Sequence, residues 1–335
     1  MTDLIGAVLA AGKGTRLRPL THHLPKPIVP LAGRPMLSYA LDALNAVGVE
    51  QVGINAYHLA DAVPAGLAHR PEHIEYVFEE TLSGTGGGIA GIARRLPKAT
   101  MVVINGDAVF GFDLAPFIER HRARGAMATL VLREVPPDAP FGRVGIDGSG
   151  RLHRIAEVDG PDVHGQALRY GAFTGVQIIE PALIDAIPTH PCDILRSAYR
   201  QRLNERAPLF GDFAPADASW HDVGTTERYL SAHFAVLRGE LPGAHLPASD
   251  EYGRRISPTA EVGDGVELHG PCVIMDGAVI GAGAKIGPDT FVDRRAYIAP
   301  QVVISRSVVW SDARVESDTE GEVVLPSGET ETLAD

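Results

Sequence analysis

Two cysteines in 335 residues, Cys192 and Cys272, are too few for a disulfide framework, and both read as small buried residues. No apolar run approaches the length that crosses a bilayer, so no membrane association is expected. The apolar start has no basic stretch before it and is preceded by Asp3, which argues against a secretory signal and for a cytoplasmic protein. Basic charge is also short. With a formal net charge of −12, no face compensates for a nucleic-acid backbone, and nucleic-acid binding is not expected. The histidines, among them His22, His23, His58, His153, His164 and His221, never fall at metal-ligand spacing on one helix and read as solvated loop residues.

One local absence carries more than the rest. Between Asp3 and Asp42 there is no acidic residue. Leu4 to Ala10 is a short apolar run with the length and composition of a buried parallel strand. A loop follows in which Gly12 and Gly14 let the backbone turn sharply, and Lys13, Arg16, Arg18 and Lys26 add four cations to an acidic protein. Backbone amides with Arg and Lys suit phosphate. The loop is not a Walker A sequence, because no Gly-Lys-Ser or Gly-Lys-Thr occurs. It is not the dinucleotide fingerprint either, because Leu17 stands where the third glycine would be.

What remains is L-A-A-G-x-G-T-R-L-x-P-L-T over Leu9 to Thr21, followed by Pro25-Lys26-Pro27. This pair of motifs resembles the signature of the sugar-1-phosphate nucleotidyltransferases, which make NDP-sugars. The resemblance implies that Leu9, Ala10, Ala11, Gly12, Lys13, Gly14, Thr15 and Arg16 bind the nucleotide. Arg16 and the loop amides would hold the leaving phosphates, and Lys26 would bridge the α-phosphate and the sugar phosphate. Gly84, Thr85 and Gly86 match the family's nucleobase segment. The family's polar base reader has no clear counterpart, since Leu82 and Ser83 occupy those places, and a glycine-rich packing site is the alternative for this stretch. Asp107, in Asn105-Gly106-Asp107, and Asp222, in Ser219 to Thr225, match the two aspartates that hold Mg²⁺, a cation that needs only one or two protein carboxylates. Gly142 in Phe141-Gly142-Arg143-Val144, Glu157 and Thr174 fall in the sugar-binding half. There the Glu-Lys-Pro pattern and an expected asparagine are missing, so the sugar is not named.

The rest of the chain reads in two styles. Strands are expected at Gln51–Asn55, Ile74–Phe78, Thr100–Ile104 and Ala128–Leu132. Helices are expected over Pro35–Val47 and more weakly Leu59–His69, over a segment capped by Asp113 and ending at Gly125, and after Thr225 with Tyr229, Leu230, His233, Phe234 and Leu237 on one face. That alternation predicts an α/β, Rossmann-like, mostly parallel sheet with ligands at the carboxyl ends of its strands. From Ile256 an aliphatic residue recurs every six: Ile256, Val262, Leu268, Ile274, Ile280, Ile286, Val292, Ile298, Ile304 and finally Trp310. Period six is the hexapeptide repeat of a parallel β-helix, left-handed in the family this resembles.

The expected organisation is a nucleotidyltransferase domain over 1–238, a linker over 239–255, a short β-helix over 256–316 and a tail over 317–335. The outward apolar positions Val273, Val279, Phe291, Tyr297, Val303 and Val309 predict packing against the catalytic domain or a homo-oligomer built through the β-helix. Every proposed chemical residue precedes 238, so truncation there is expected to spare some catalysis. The expected partners are an NTP and a sugar-1-phosphate. GTP with mannose-1-phosphate leads, and uridylyl or thymidylyl transfer to another sugar-1-phosphate, such as glucose- or N-acetylmuramate-1-phosphate, is the alternative. A catalytically silent regulatory or scaffold relative is a second class, disfavoured because Arg16, Lys26, Asp107 and Asp222 are all present. A β-helix acyltransferase is a third, weakened because His269 is the only histidine in the repeats.

Overall fold

The opening apolar run folds as the strand Leu4–Leu9, buried at five of its six positions. The computed structural model describes residues 4–70, 73–136, 142–165, 167–241, 245–328 and 330–332. The chain divides into two compact units, one of residues 1–13, 37–108 and 112–220, the other of residues 14–36, 109–111 and 221–335.

The first unit is built on one sheet. From one edge its strands run Val158–Asp159, Leu152–Ile155, Arg143–Ile146, Arg169–Ile179, Thr100–Asn105, Leu4–Leu9, Gln51–Ala56 and His73–Phe78. Ala128–Arg133 also pairs with Arg169–Ile179, and Leu209–Phe213 pairs with Ala128–Arg133. Leu4–Leu9 is parallel to both of its neighbours, whereas Arg169–Ile179 runs antiparallel to its partners. The sheet is therefore mixed, with a parallel region centred on the first strand. Ile5, Ala7, Met101 and Val103 form its core with Ile89 and Ile92 of the helix Gly84–Ala93 and with the fully buried Tyr199. The expected helix near Pro35–Val47 is Leu37–Ala46. The one expected over Leu59–His69 shrinks to Ala62–Gly66, where Pro64 removes a backbone donor and Gly66 disfavours further turns. Asp113 Oδ1 accepts from Ala115 N at 2.9 Å and starts the helix Ala115–Ala123.

The second unit holds the left-handed β-helix, whose strands stack in three parallel sheets. Ile256, Ile274 and Val292 lie in register at intervals of 18, three hexads per coil. The next coil is one residue shorter, so Val292 pairs with Val309 and not with Trp310. Val309 is thus interior, among Ile274, Ile280, Ile298 and Val315, and is corrected from the outward set. Trp310 leaves the aliphatic series and donates its indole N–H to Tyr229 Oη at 2.9 Å. Parallel pairing continues past the last clear repeat, with Val309 stacked on Val324, and Thr330–Thr332 folds back antiparallel on Glu322–Val324. Of the other outward positions, Val273 and Phe291 are fully buried and Val303 is 40% exposed. Arg314 lies over the Tyr297 ring at 4.1 Å. Burying a phenylalanine contributes about 2–3 kcal/mol, so the Phe291 face is a packing face within this unit.

Candidate active site

In the first unit the carboxyl ends of three parallel strands are level, with Leu9 in register with both Asn55 and Asn105. The chain leaves this edge under tight control. Ala10 N donates to Asn55 Oδ1 at 2.8 Å, and Gly106 N donates to Leu9 O at 2.8 Å. Asn55 Nδ2 in turn donates to Glu79 Oε1 at 2.7 Å, and Glu79 Oε2 accepts from Ser83 N at 2.9 Å. Asn55, through Glu79, thus joins the start of the glycine-rich loop to the start of the glycine helix. Gly12 and Lys13 are exposed on the loop, and half-buried Asp107 follows the strand Thr100–Asn105.

The glycines of the second motif face a neighbouring segment. Gly86 N donates to Cys192 O and Cys192 N to Ser83 O, both at 2.9 Å. A Cβ on Gly86 would sit 2.6 Å from Cys192 Sγ, so no side chain fits there without displacement. The Thr85 hydroxyl donates to Asp193 Oδ2 at 3.1 Å and accepts from Ile194 N at 2.9 Å. Beside this segment lies an open cavity of about 350 Å³ lined by Phe78, Glu79, Glu80, Ser83, Gly87 and His190, among others.

The second unit holds Arg16 and Lys26. Gly14 has φ 63°, and a Cβ there would lie 3.2 Å from Lys26 Cβ, so the loop folds back with the lysine stem against the glycine. Thr21 Oγ1 donates to Gly14 O at 2.8 Å, and Leu17, wholly buried, anchors the turn that exposes Arg16. Arg16 reaches the second aspartate motif. A Cβ built on Gly224 would be 3.4 Å from Arg16 Nη2 and 3.5 Å from Asp222 Oδ1. Asp222 Oδ2 also accepts from Arg228 Nη1 at 2.9 Å, on the first turn of the helix Thr226–Leu237 that Thr225 caps. Among the described residues no group of three or more His, Cys, Asp or Glu is placed to hold a metal ion. A carboxylate such as Asp222 is a hard oxygen donor of the kind that suits Mg²⁺, which draws most of its oxygens from water and phosphate.

A model of the nucleotidyl transferase family matches residues 5–239. The chain belongs to that family. It is 34% identical to a mannose-1-phosphate guanylyltransferase of Mycobacterium tuberculosis, over 85% of this chain and 77% of that protein. It is 29% identical to a UTP–glucose-1-phosphate uridylyltransferase of Synechocystis, over 92% of this chain and 83% of that one. Mannose-1-phosphate guanylyltransferase 1 of Arabidopsis thaliana is 26% identical over 92% and 82%.

In this nucleotidyl transferase the residues expected to meet the sugar are dispersed in environment. Gly142 is exposed at the start of its strand, and Phe141 lies outside the described residues. Glu157 is exposed in a turn, with Arg196 at 3.6 Å. Thr174 is buried and its hydroxyl donates to Val131 O at 2.9 Å, while its carbonyl accepts from Trp220 Nε1 at 2.9 Å. Its side chain braces the strand from within. His153, expected in a solvated loop, is instead buried in the strand Leu152–Ile155, with Nε2 2.9 Å from Asp147 Oδ2. Burial also lowers the pKa of His221, next to Asp222, against the opposing charge of Glu240. Asn55 and Glu79 escaped the sequence reading. The one available signal was a buried amide at the carboxyl end of an otherwise apolar strand, where a side chain can cap the outgoing loop.

Proposed function

We propose that this chain catalyses transfer of a nucleotidyl group to a sugar-1-phosphate. A sugar-phosphate oxygen attacks the α-phosphorus of an NTP in line, the bond to the β-phosphate oxygen breaks, and pyrophosphate leaves. The observation that carries this reading is the gathering of Gly14, Arg16, Lys26 and Asp222 in one unit. Cations fixed before reaction stabilise the charge that spreads over the non-bridging oxygens. Arg16 and the loop amides from Leu9 to Thr15 hold the departing phosphates, and Lys26 meets both the α-phosphate and the incoming phosphate. Asp107 and Asp222 would hold Mg²⁺, whose charge neutralises the substrates when it is bound. Gly84, Thr85 and Gly86 line the base, and Gly142, Glu157 and Thr174 belong to the sugar half. Thr174, whose hydroxyl donates to Val131 O, and Thr85, whose hydroxyl donates to the Asp193 carboxylate, would shape the walls of those two halves.

GTP with mannose-1-phosphate is the leading pair, supported by the 34% identity to a mannose-1-phosphate guanylyltransferase. UTP with glucose-1-phosphate is the second reading, supported by the Synechocystis relative. Cytoplasmic location and a homo-oligomer through the β-helix complete the proposal. Among the described residues no helix is long and apolar enough to cross a membrane, and Val262 and Val303 stay exposed on the β-helix. The test is pyrophosphate release from common NTPs against a panel of sugar-1-phosphates with magnesium. Release with one base and one sugar names the pair. No release with any pair leaves the scaffold class in its place.

A further inference from the structure

The hairpin just after Lys26 is held in an unfavourable shape by groups distant in sequence. Pro30–Leu31 pairs with Arg34–Pro35, and both turn residues have positive φ, 49° at Ala32 and 74° at Gly33. Left-handed backbone is unfavourable for a residue with a Cβ, so Ala32 needs outside support. Ala32 N donates to His233 Nε2 at 3.0 Å. His233 Nδ1 donates to Tyr229 O at 3.2 Å, which fixes the tautomer that leaves Nε2 an acceptor. Tyr229 Oη donates to Pro30 O and accepts from Trp310 Nε1. Arg294 Nη1 donates to Gly33 O at 3.0 Å. The Tyr229, His233 and Phe291 rings pack edge to face in series, with centroids 4.5 and 5.6 Å apart.

Phe291, Arg294 and Trp310 belong to the β-helix, and Tyr229 and His233 to the helix before it. Between the hairpin and Lys26 the chain has little slack. Val29 N donates to Lys26 O at 3.2 Å, and Met36 N to Val29 O at 3.0 Å. On its other side the lysine stem lies against Gly14. We propose that the β-helix is a positioning element for the reaction: Tyr229 and Trp310, with His233 and Arg294, set the Pro30–Gly33 hairpin and through it the place of the Lys26 ammonium. The proposal rests on Lys26 acting at the transferring phosphate.

Tyr229→Phe and Trp310→Phe each keep a ring; the first deletes both hydrogen bonds of the phenol, the second only the one from the indole N–H. Pyrophosphate release is measured with GTP and mannose-1-phosphate and with UTP and glucose-1-phosphate, using the faster pair. Each variant lowers kcat by about tenfold with KM changed less than about twofold, because small misplacement of a catalytic group costs rate and not binding. In a Lys26→Ala background the same substitutions change kcat by less than about twofold, since the group they position is gone. Full kcat in Tyr229→Phe, or the same loss in both backgrounds, overturns the positioning role while Lys26 keeps its own. Wild-type kcat in Lys26→Ala, or no turnover with either pair, removes the phosphate role of Lys26 and the positioning role with it. Circular dichroism checks folding, and if Tyr229→Phe is recovered unfolded, Trp310→Phe carries the same expectation.

Discussion

The two units place site residues by different means. In the first, Leu9, Asn55 and Asn105 are brought level by strand register, and one side chain, Asn55, ties the loop to the glycine helix. In the second, among the described residues, the only strand pairing within 14–36 is the short hairpin Pro30–Leu31 with Arg34–Pro35. Residues 14–36 are held by a helix and a β-helix that lie some 200 or more positions further along, through Ala32 with His233, Pro30 with Tyr229 and Gly33 with Arg294. A sheet places a residue as soon as its strands pair. A loop placed by remote side chains is in position only when the whole unit has folded. The second arrangement is the more fragile, and it carries Arg16, Lys26 and Asp222.

The largest test removes the remote support altogether. Truncation after Leu237 deletes Phe291, Arg294 and Trp310 while keeping every proposed chemical residue. Because residues 14–36 share a unit with the deleted coils, turnover should fall by at least about 10²-fold. Limited proteolysis should show new cleavage between 14 and 36 and none in the strands of the first unit. Turnover within a few-fold of the full chain would place the loop's order in the first 237 residues and dissolve the contrast.

On the sheet side, Asp107→Asn should cut turnover by about 10²-fold, the scale for losing one preorganised electrostatic element. The fold should survive, since the side chain stands beyond the strand end. Circular dichroism and steady-state rates at saturating magnesium decide it, and near-normal turnover would remove Asp107 from the metal site.

This contrast also governs how much could be read in advance. The strand Leu4–Leu9, the loop after it and the six-residue period are local patterns, visible because burial repeats at fixed spacing. The one-residue contraction between Ile304 and Val309 was hidden because Trp310 is as apolar as the residue it displaces from the series. His153 and His233 lie on apolar segments, where a sequence cannot tell a solvated imidazole from one paired with Asp147 or with backbone groups. The Asn55–Glu79 bracket joins residues 24 apart, and the Tyr229–Pro30 bond joins residues 199 apart. Contacts of that kind come from tertiary packing and leave no periodic trace. The glycines at 84 and 86 were legible as a requirement, but Cys192 is the neighbour that imposes it at Gly86.

Asn55→Ala sharpens the comparison from the other side, because it removes the side chain that ties the loop to the glycine helix in the first unit. The buried Ala10 N–H loses its acceptor and Glu79 loses a donor, a change that costs about 2–3 kcal/mol. Urea unfolding followed by circular dichroism measures the loss. A cost near zero would mean that strand register alone places the loop.

The smallest expected effect separates the units by acid. His121 in the first unit and His233 in the second are both buried and both held below the ordinary histidine range by burial. His121 has Glu180 at 3.1 Å, which favours its protonated form and opposes burial. His233 faces Ala32 N and Tyr229 O, and burial pushes it down to about 4 despite the hydrogen bond to Tyr229 O. With its folded pKa depressed, neutral His233 supports the fold fully above the unfolded value of about 6.5, and that support is lost as pH falls toward 4. Protonation would also destroy the acceptor for Ala32 N, so the hairpin after Lys26 should loosen first. Between pH 7 and pH 5 the loss from His233 is about 2 kcal/mol. Urea titrations of the wild type and of His233→Gln should diverge over that interval, with the variant flatter, while His121→Gln should change the slope less. Parallel curves for wild type and His233→Gln would show that the second unit keeps its hairpin without the neutral imidazole.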